Sequence, residues 1–223
     1  MKEKIAEKIK ELREKSKKRN FVQSFDLIIN LKELDVKKPE NKITEDIVLP
    51  YGRGSEAKIV VFSDTIKDVD AEVLTSADIE RIAKNKREAR KLARDTDFFL
   101  AEAKLMPLVG KYLGQFLGPR GKMPKIITGD VKKLVENYKK SVRIRIKDSP
   151  VVQCIVGKEN MKDEEIAENI EAVIEGLKAK LPKGEQNIKE VLLKLTMSKP
   201  IKIEVKKWEK KKKLQPKKNW KIW

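Results

Sequence analysis

The chain has 223 residues, enough for one large domain or two small ones with a real core. Lys and Arg number 53 against 35 acids, a net charge of +18. That imbalance points to a polyanion partner, most often nucleic acid, because a thermophile-like Lys/Glu surface explains many charges but not their inequality. With no histidine and one cysteine, the sequence excludes a Cys/His zinc site, His-dependent catalytic dyads and triads, and an internal disulfide.

The charged opening MKEKIAEKIKELREKSKKRN has no signal-peptide core. No apolar run approaches the ~18 residues of a membrane helix, so a soluble intracellular protein is expected. Ile5, Ile9 and Leu12 recur at helical spacing and predict a helix over 3–18. FVQSFDLIINL (21–31) alternates: Phe21, Gln23, Phe25, Leu27, Ile29 and Leu31 share one strand face, and Ser24, Asp26, Ile28 and Asn30 the other. A mostly apolar face against a polar one suggests a sheet with one side exposed. ITEDIVLP (43–50) is a second strand, followed by a flexible break at Gly52 and Gly54.

After that break the pattern changes. KIVVFS (58–63), AEVLT (71–75) and FFLAEA (98–103) are short strands with little alternation, as in sheets buried on both faces. Helices are predicted over about 77–93, 105–116 and 130–139, the first opened by a capping box at T75-S76-A77-D78. Strands alternating with helices imply a parallel sheet. At 141 alternation returns: SVRIRIKDSPVVQCIVGK reads as a hairpin about Asp148-Ser149-Pro150, with Cys154 as a small buried residue. A helix over about 161–179 follows, with Ile166, Ile170, Val173, Ile174 and Leu177 as its buried stripe. VLLKLTMSKPIKIEV (191–205) reads as two short strands around Met197–Pro200.

Antiparallel-looking material thus brackets a parallel-looking centre. The simplest architecture is an outer domain of 1–52 and 141–205 with an α/β domain, 53–140, inserted into it. Two connecting strands near Gly52 and Lys140 would form a hinge that lets the domains open and close. Residues 206–223 form a basic tail with nine lysines, one glutamate and all three tryptophans. It is either a solvated tail or an RNA-contacting arm, with lysines on phosphates and indoles on bases.

LGPRGKMPK (117–125) invites an enzyme reading. A P-loop needs G-x-x-x-x-G-K-[ST], but Phe116 stands in place of the first Gly and Met123 in place of the Ser or Thr. A dinucleotide fingerprint needs glycines at the first strand-to-helix turn, and FSDTIKDVD has none. No carboxylate pair is singled out by spacing. No catalytic residue, metal ligand or cofactor is therefore expected. Gly118, Pro119 and Gly121 fix a tight turn, and Arg120, Lys122 and Lys125 surround it with donors. Such a loop suits phosphates or serves only as a surface turn.

LGPRGKMPK resembles a motif of the family of large-subunit ribosomal protein one, the L-one family of the ribosomal side stalk. RNFVQSFDLIINLKELDVKK resembles the family's first strand segment, VGKENMKDEEIAENIEAVIEGL its C-terminal helix, and KLTMSKPIKI its Thr-Met-Gly-Pro loop. The resemblance covers about 15–205, leaves out the tail, and is nearest to the archaeal branch. It implies a two-layer α+β outer domain from both chain ends and an inserted Rossmann-like three-layer α/β domain. It also implies a cytoplasmic protein, monomeric when free, that joins the large ribosomal subunit. There it would bind rRNA at the mobile side stalk, near the tRNA exit site, and assist tRNA release. It would also bind a mimic of that site on its own mRNA and repress translation. A stand-alone RNA-binding regulator outside the ribosome is the alternative.

The resemblance places the main RNA surface on the outer domain: Arg19, Phe21, Ser24 and Asp26 near the first strand, Arg145, Lys147 and Asp148 on the hairpin, and Thr196, Met197, Ser198 and Lys199 in the C-terminal loop. Arg120 and Lys122 would touch RNA secondarily. Phe21 and Met197 offer apolar contact, Ser24 and Thr196 suit 2′-hydroxyls, and Arg19, Arg145 and Lys147 suit phosphates. The structural alternatives are a strand-edge core role for Phe21, a gap cover for Met197 and a solvated strand face for Arg145. Two positions depart from the family pattern. Ser198 replaces Gly, at a cost of roughly 1 kcal/mol if that position needs positive φ. Asp26 replaces Glu, one methylene shorter, so a direct contact becomes water-mediated.

Overall fold

A computed structural model describes residues 2–66 and 69–203, so the basic tail 206–223 and Val205 lie outside the described residues. The chain forms two compact units, one from residues up to Glu45 and from Ile144 onward, the other from Asp46–Arg143.

In the first unit, β1 (Ser24–Leu31) lies between β8 (Val151–Lys158) and β9 (Ile188–Leu195), with β10 (Ile201–Ile203) on the far side of β9; every pairing is antiparallel. Phe25, Leu27, Ile29 and Leu31 point inward from β1, as the alternation predicts. Two helices cover that face, α1 (Lys2–Lys15) through Ile5, Ile9 and Leu12, and α6 (Asp163–Lys180) through Ile166, Ile170, Val173, Ile174 and Leu177. The other face keeps Ser24, Asp26, Ile28 and Asn30 half-exposed beside exposed Gln153 and Ile155. This is the two-layer α+β arrangement. Cys154 is buried, and burial pushes its thiol up to about 12, so it packs as an inert apolar group.

In the second unit, β3 (Ile59–Phe62), β4 (Glu72–Leu74), β5 (Phe98–Ala101) and β6 (Lys125–Ile126) form a parallel sheet in the order β4-β3-β5-β6. Val60, Phe62, Phe99 and Ala101 face α2 (Ser76–Lys84), α3 (Lys86–Asp95) and α4 (Met106–Leu117). Ile59, Val61, Phe98 and Leu100 face α5 (Val131–Lys139) through Val135. Both sides of the sheet are therefore covered, which gives three layers and explains the unbroken apolar strands. The capping box forms, Thr75 to Asp78 and back.

Three expectations are corrected. The 141–158 segment is no hairpin: β7 (Ser141–Arg145) pairs with β2 (Thr44–Val48), while β8 pairs with β1. The single helix over 77–93 is two, because Asn85 ends α2 and its side chain caps α3 by accepting from Arg87 and Glu88 N–H. The first strand begins at Ser24 and not Phe21, which leaves Phe21 and Val22 ahead of it.

Candidate nucleic-acid interface

The start of β1 and the end of β9 meet at one end of the first unit's sheet. There the turn Leu195–Ser198 closes, with Ser198 N–H donating to Leu195 O at 3.0 Å. Thr196 N–H donates to Ser24 O at 3.1 Å, and Ser24 N–H donates back to Thr196 Oγ1 at 3.1 Å. The Thr196 hydroxyl also donates to Ser24 O at 3.3 Å. Leu195 N–H donates to Ser198 Oγ at 2.9 Å. Both hydroxyls of the loop are thus spent on holding its shape. Ser198 lacks a positive φ, since Glu33 is the one described non-glycine residue in that region. The Ser-for-Gly departure therefore carries no left-handed strain here.

Gln23 anchors the turn from below. It is 2% exposed, and its side-chain oxygen accepts from Met197 N–H at 3.2 Å. Its backbone N–H donates to Glu159 Oε2 at 3.2 Å, and Glu159 N–H donates to Gln23 O at 2.9 Å. Arg13 fixes that segment in turn, donating to the carbonyls of Glu159 and Met161 and to Asp163, and lying 5.1 Å over the Phe25 ring. Sequence reasoning placed Gln23 on the apolar face and gave it no role. The usable signal is a polar residue in an apolar stripe, which must find partners when buried.

What this scaffold presents is apolar. Phe21 is 53% exposed, Val22 54% and Met197 61%. Phe21 is thus not core, and Met197 fills no gap. Val22 was missed although it had a signal: it shares the phase of Ser24 and Asp26, an apolar residue in line with the polar face. Lys17, Lys18, Arg19 and Lys199 are exposed nearby in the chain. Asp26 lies on the open face between Lys194 of β9 and Ile155 of β8. Burial pushes its carboxyl up, with the Lys194 ammonium opposing.

Not all the expected residues gather here. The corner at Lys147–Pro150 sits at the other end of β1, where Leu31 N–H donates to Pro150 O at 2.8 Å. By strand rise the two ends are roughly 20 Å apart. Arg145, Lys147 and Asp148 therefore form a separate group, with Lys147 and Asp148 paired at 3.5 Å.

The LGPRGKMPK loop belongs to the second unit. Gly121, at φ 66, donates to Gly118 O at 2.9 Å and Lys122 N–H to Leu117 O at 3.1 Å, closing the end of α4. The Lys122 ammonium donates to the carbonyls of Ala93, Arg94 and Thr96 at the end of α3, and burial pushes its pKa down. Arg143 donates to Gly121 O at 2.9 Å and to Asp46, which Lys125 also meets at 2.8 Å. So the loop's glycines and lysines serve architecture. Of the two cations expected to steer RNA, Arg120 is the exposed one.

The chain thus combines a two-layer α+β unit, which carries an exposed apolar turn with cations near it in sequence, and an inserted three-layer α/β unit. The chain matches the Ribosomal protein L1p/L10e family over residues 12–199 and belongs to it. It is 46% identical over 210 residues to "Large ribosomal subunit protein uL1" of Pyrococcus horikoshii, covering 91% of this chain and 96% of that protein. The protein of the same name from Methanocaldococcus jannaschii is 46% identical over 216 residues, 94% and 99% of the two chains. That of Methanothermococcus thermolithotrophicus is 47% identical over 209, 91% and 98%. The archaeal resemblance is borne out, and the family is structural, not enzymatic. No described helix is long and apolar enough to cross a membrane.

Proposed function

We propose that this chain is a large-subunit ribosomal protein that binds rRNA at the mobile side stalk, near the tRNA exit site, and assists release of the exit-site tRNA. It also binds its own mRNA at a mimic of the rRNA site and represses translation. It is a monomer when free and acts in the cytoplasm on the ribosome. The first unit is the RNA-binding domain. Family membership, the names of the archaeal relatives and the net charge of +18 support this.

The observation that carries it is the exposed apolar set of Phe21 and Val22, just ahead of β1, and Met197, on a turn whose polar atoms are satisfied internally. Large apolar side chains exposed to solvent, near lysine and arginine in the chain, suit bases or riboses flanked by phosphates. Asp26 then accepts from a 2′-hydroxyl or base amine, directly or through water. Arg145, Lys147 and Asp148 form a second contact group, and Arg120 a peripheral one.

The test is binding to a stalk-rRNA fragment across a salt series. Six or more phosphate contacts lower affinity about a thousandfold between low and moderate salt. Met197→Ala and Phe21→Ala each weaken binding about tenfold or more, by loss of stacking and apolar contact. Arg120→Ala weakens it less. Binding that survives both the Met197 and the Phe21 change, or that ignores which RNA is offered, overturns the proposal. Ribosome sedimentation separates it from a regulator that never enters the ribosome.

A further inference from the structure

Helix α3 holds charge that the fold does not use. Its buried stripe is Ala89 and Ala93, with Leu92 packed against the core. The rest of its surface exposes Lys86, Arg87, Arg90, Lys91 and Arg94, and Lys84 sits at the end of α2 just before it. Against these stand Glu88 and Asp95, and Asp95 is taken by Arg94 at 2.9 Å. Among the described residues, Lys84, Lys86, Arg87, Arg90 and Lys91 make no ion pair. Other exposed cations are matched, as Lys8 and Lys15 are by Glu11 and Lys183 by Glu33; Lys17, Lys18 and Arg19 form a second exposed run, but one that lies beside the Phe21 face already described.

The placement also runs against helix electrostatics. Lys86 and Arg87 occupy the first turn, where the positive end of the backbone dipole disfavours cations. Arg87 with Arg90 and Lys91, and Arg90 with Arg94, set like charges three and four residues apart, which repel. Glu88 in the first turn, Arg94 in the last and the field of Lys91 on Asp95 offset only part of this. Proteins concentrate such departures from local rules at functional surfaces.

We propose that the exposed face of α3, from Lys84 through Arg94, is a second RNA contact that grips the phosphate backbone without reading sequence. Arg87 to Arg94 span about 10 Å of helix, enough to meet about three successive phosphates of one strand. The face bears no aromatic or exposed large apolar side chain, so it has nothing to stack on bases. A lipid surface fits poorly, because an interfacial helix turns its apolar residues outward and those of α3 are buried. The loop bearing Arg120 is fastened to the same helix end by Lys122. This contact stands apart from the Phe21–Met197 face and does not depend on it.

The probe is a generic RNA duplex without stalk sequence, bound by the full chain across a salt series. In R87Q/R90Q, the slope of log affinity against log salt becomes shallower by about 1.5, at about 0.7–0.9 per lost contact. K132Q/K133Q, an equal charge change on α5, leaves the slope as it is. R87K/R90K keeps the charge and restores binding, whatever the melting temperature of the Gln variant. The proposal is overturned if the native chain does not bind the duplex, if R87Q/R90Q keeps the native slope, if the α5 change has an equal effect, or if R87K/R90K fails to restore it. It is also overturned if vesicles of anionic phospholipid depend on Arg87 and Arg90 more strongly than RNA does.

Discussion

Asp26 sits on the open face of the sheet, where partial burial makes its charge unwelcome and Lys194 compensates only in part. A carboxyl raised in the folded state favours protonation, so its ionised form is a cost above the folded pKa and the cost fades as pH falls through it. Asp26→Asn therefore melts at the same or higher temperature near neutral pH, yet binds stalk rRNA more weakly. Paired melting and binding curves check this, and a variant that loses both would mean Asp26 is structural. Gln23 makes the complementary case. Gln23→Leu strands the Met197 N–H, costs about 1–2 kcal/mol, and weakens RNA binding with the salt slope unchanged, since no phosphate contact is lost. Urea titration and the same salt series separate the two effects. The residues that touch solvent were legible from motif resemblance. The ones that hold them were not, because Gln23 and Glu159 lie 136 positions apart and only the folded sheet joins them.

At the scale of elements, period and boundary were legible while partner was not. The inward set Phe25, Leu27, Ile29 and Leu31 follows from alternation alone. Alternation on both sides of Asp148–Pro150 equally describes a hairpin and two strands that part company, and nothing local distinguishes them. The pairing of β7 with β2 and of β8 with β1 is a tertiary choice, and it is why Lys147 and Asp148 stand away from Met197. The two-residue strand β6 was hidden for another reason: Lys125–Ile126 sits inside a loop rich in Gly and Pro, too short for any period. The break between α2 and α3 did have a signal, since Asn85 is a good cap and a poor helix former. Asn85→Ala frees the N–H groups of Arg87 and Glu88 and costs about 1 kcal/mol. Calorimetry should show melting lowered by about 2–4 °C for a chain of this size.

At the scale of the whole molecule, the division of the chain rests on connections that run through β2 and β7. Asp46, the first residue of the second unit, has a side chain only 3% exposed and meets both Arg143 and Lys125. Burial alone would raise its carboxyl, but the two cations outweigh it and hold the pKa low. Its stabilisation is thus present above the ordinary carboxylate range and is lost as pH falls through the lowered folded value. Asp46→Asn lowers stability near neutral pH by about 3 kcal/mol, by leaving Arg143 without its partner, and flattens the acid side of the stability curve. Unfolding curves at several pH values check both signs. The first unit raises a question of order. Its central strand β1 is made early, yet both its neighbours, β8 and β9, come from beyond residue 150, after all of the second unit. During synthesis the second unit can therefore close while β1 waits with two open edges, and domains completed first fold first. The Thr196–Lys199 turn follows all of the second unit in the chain, so on the RNA-binding role proposed above a half-made chain lacks an intact binding face. On that role, a nascent copy would not compete with finished ones for their target.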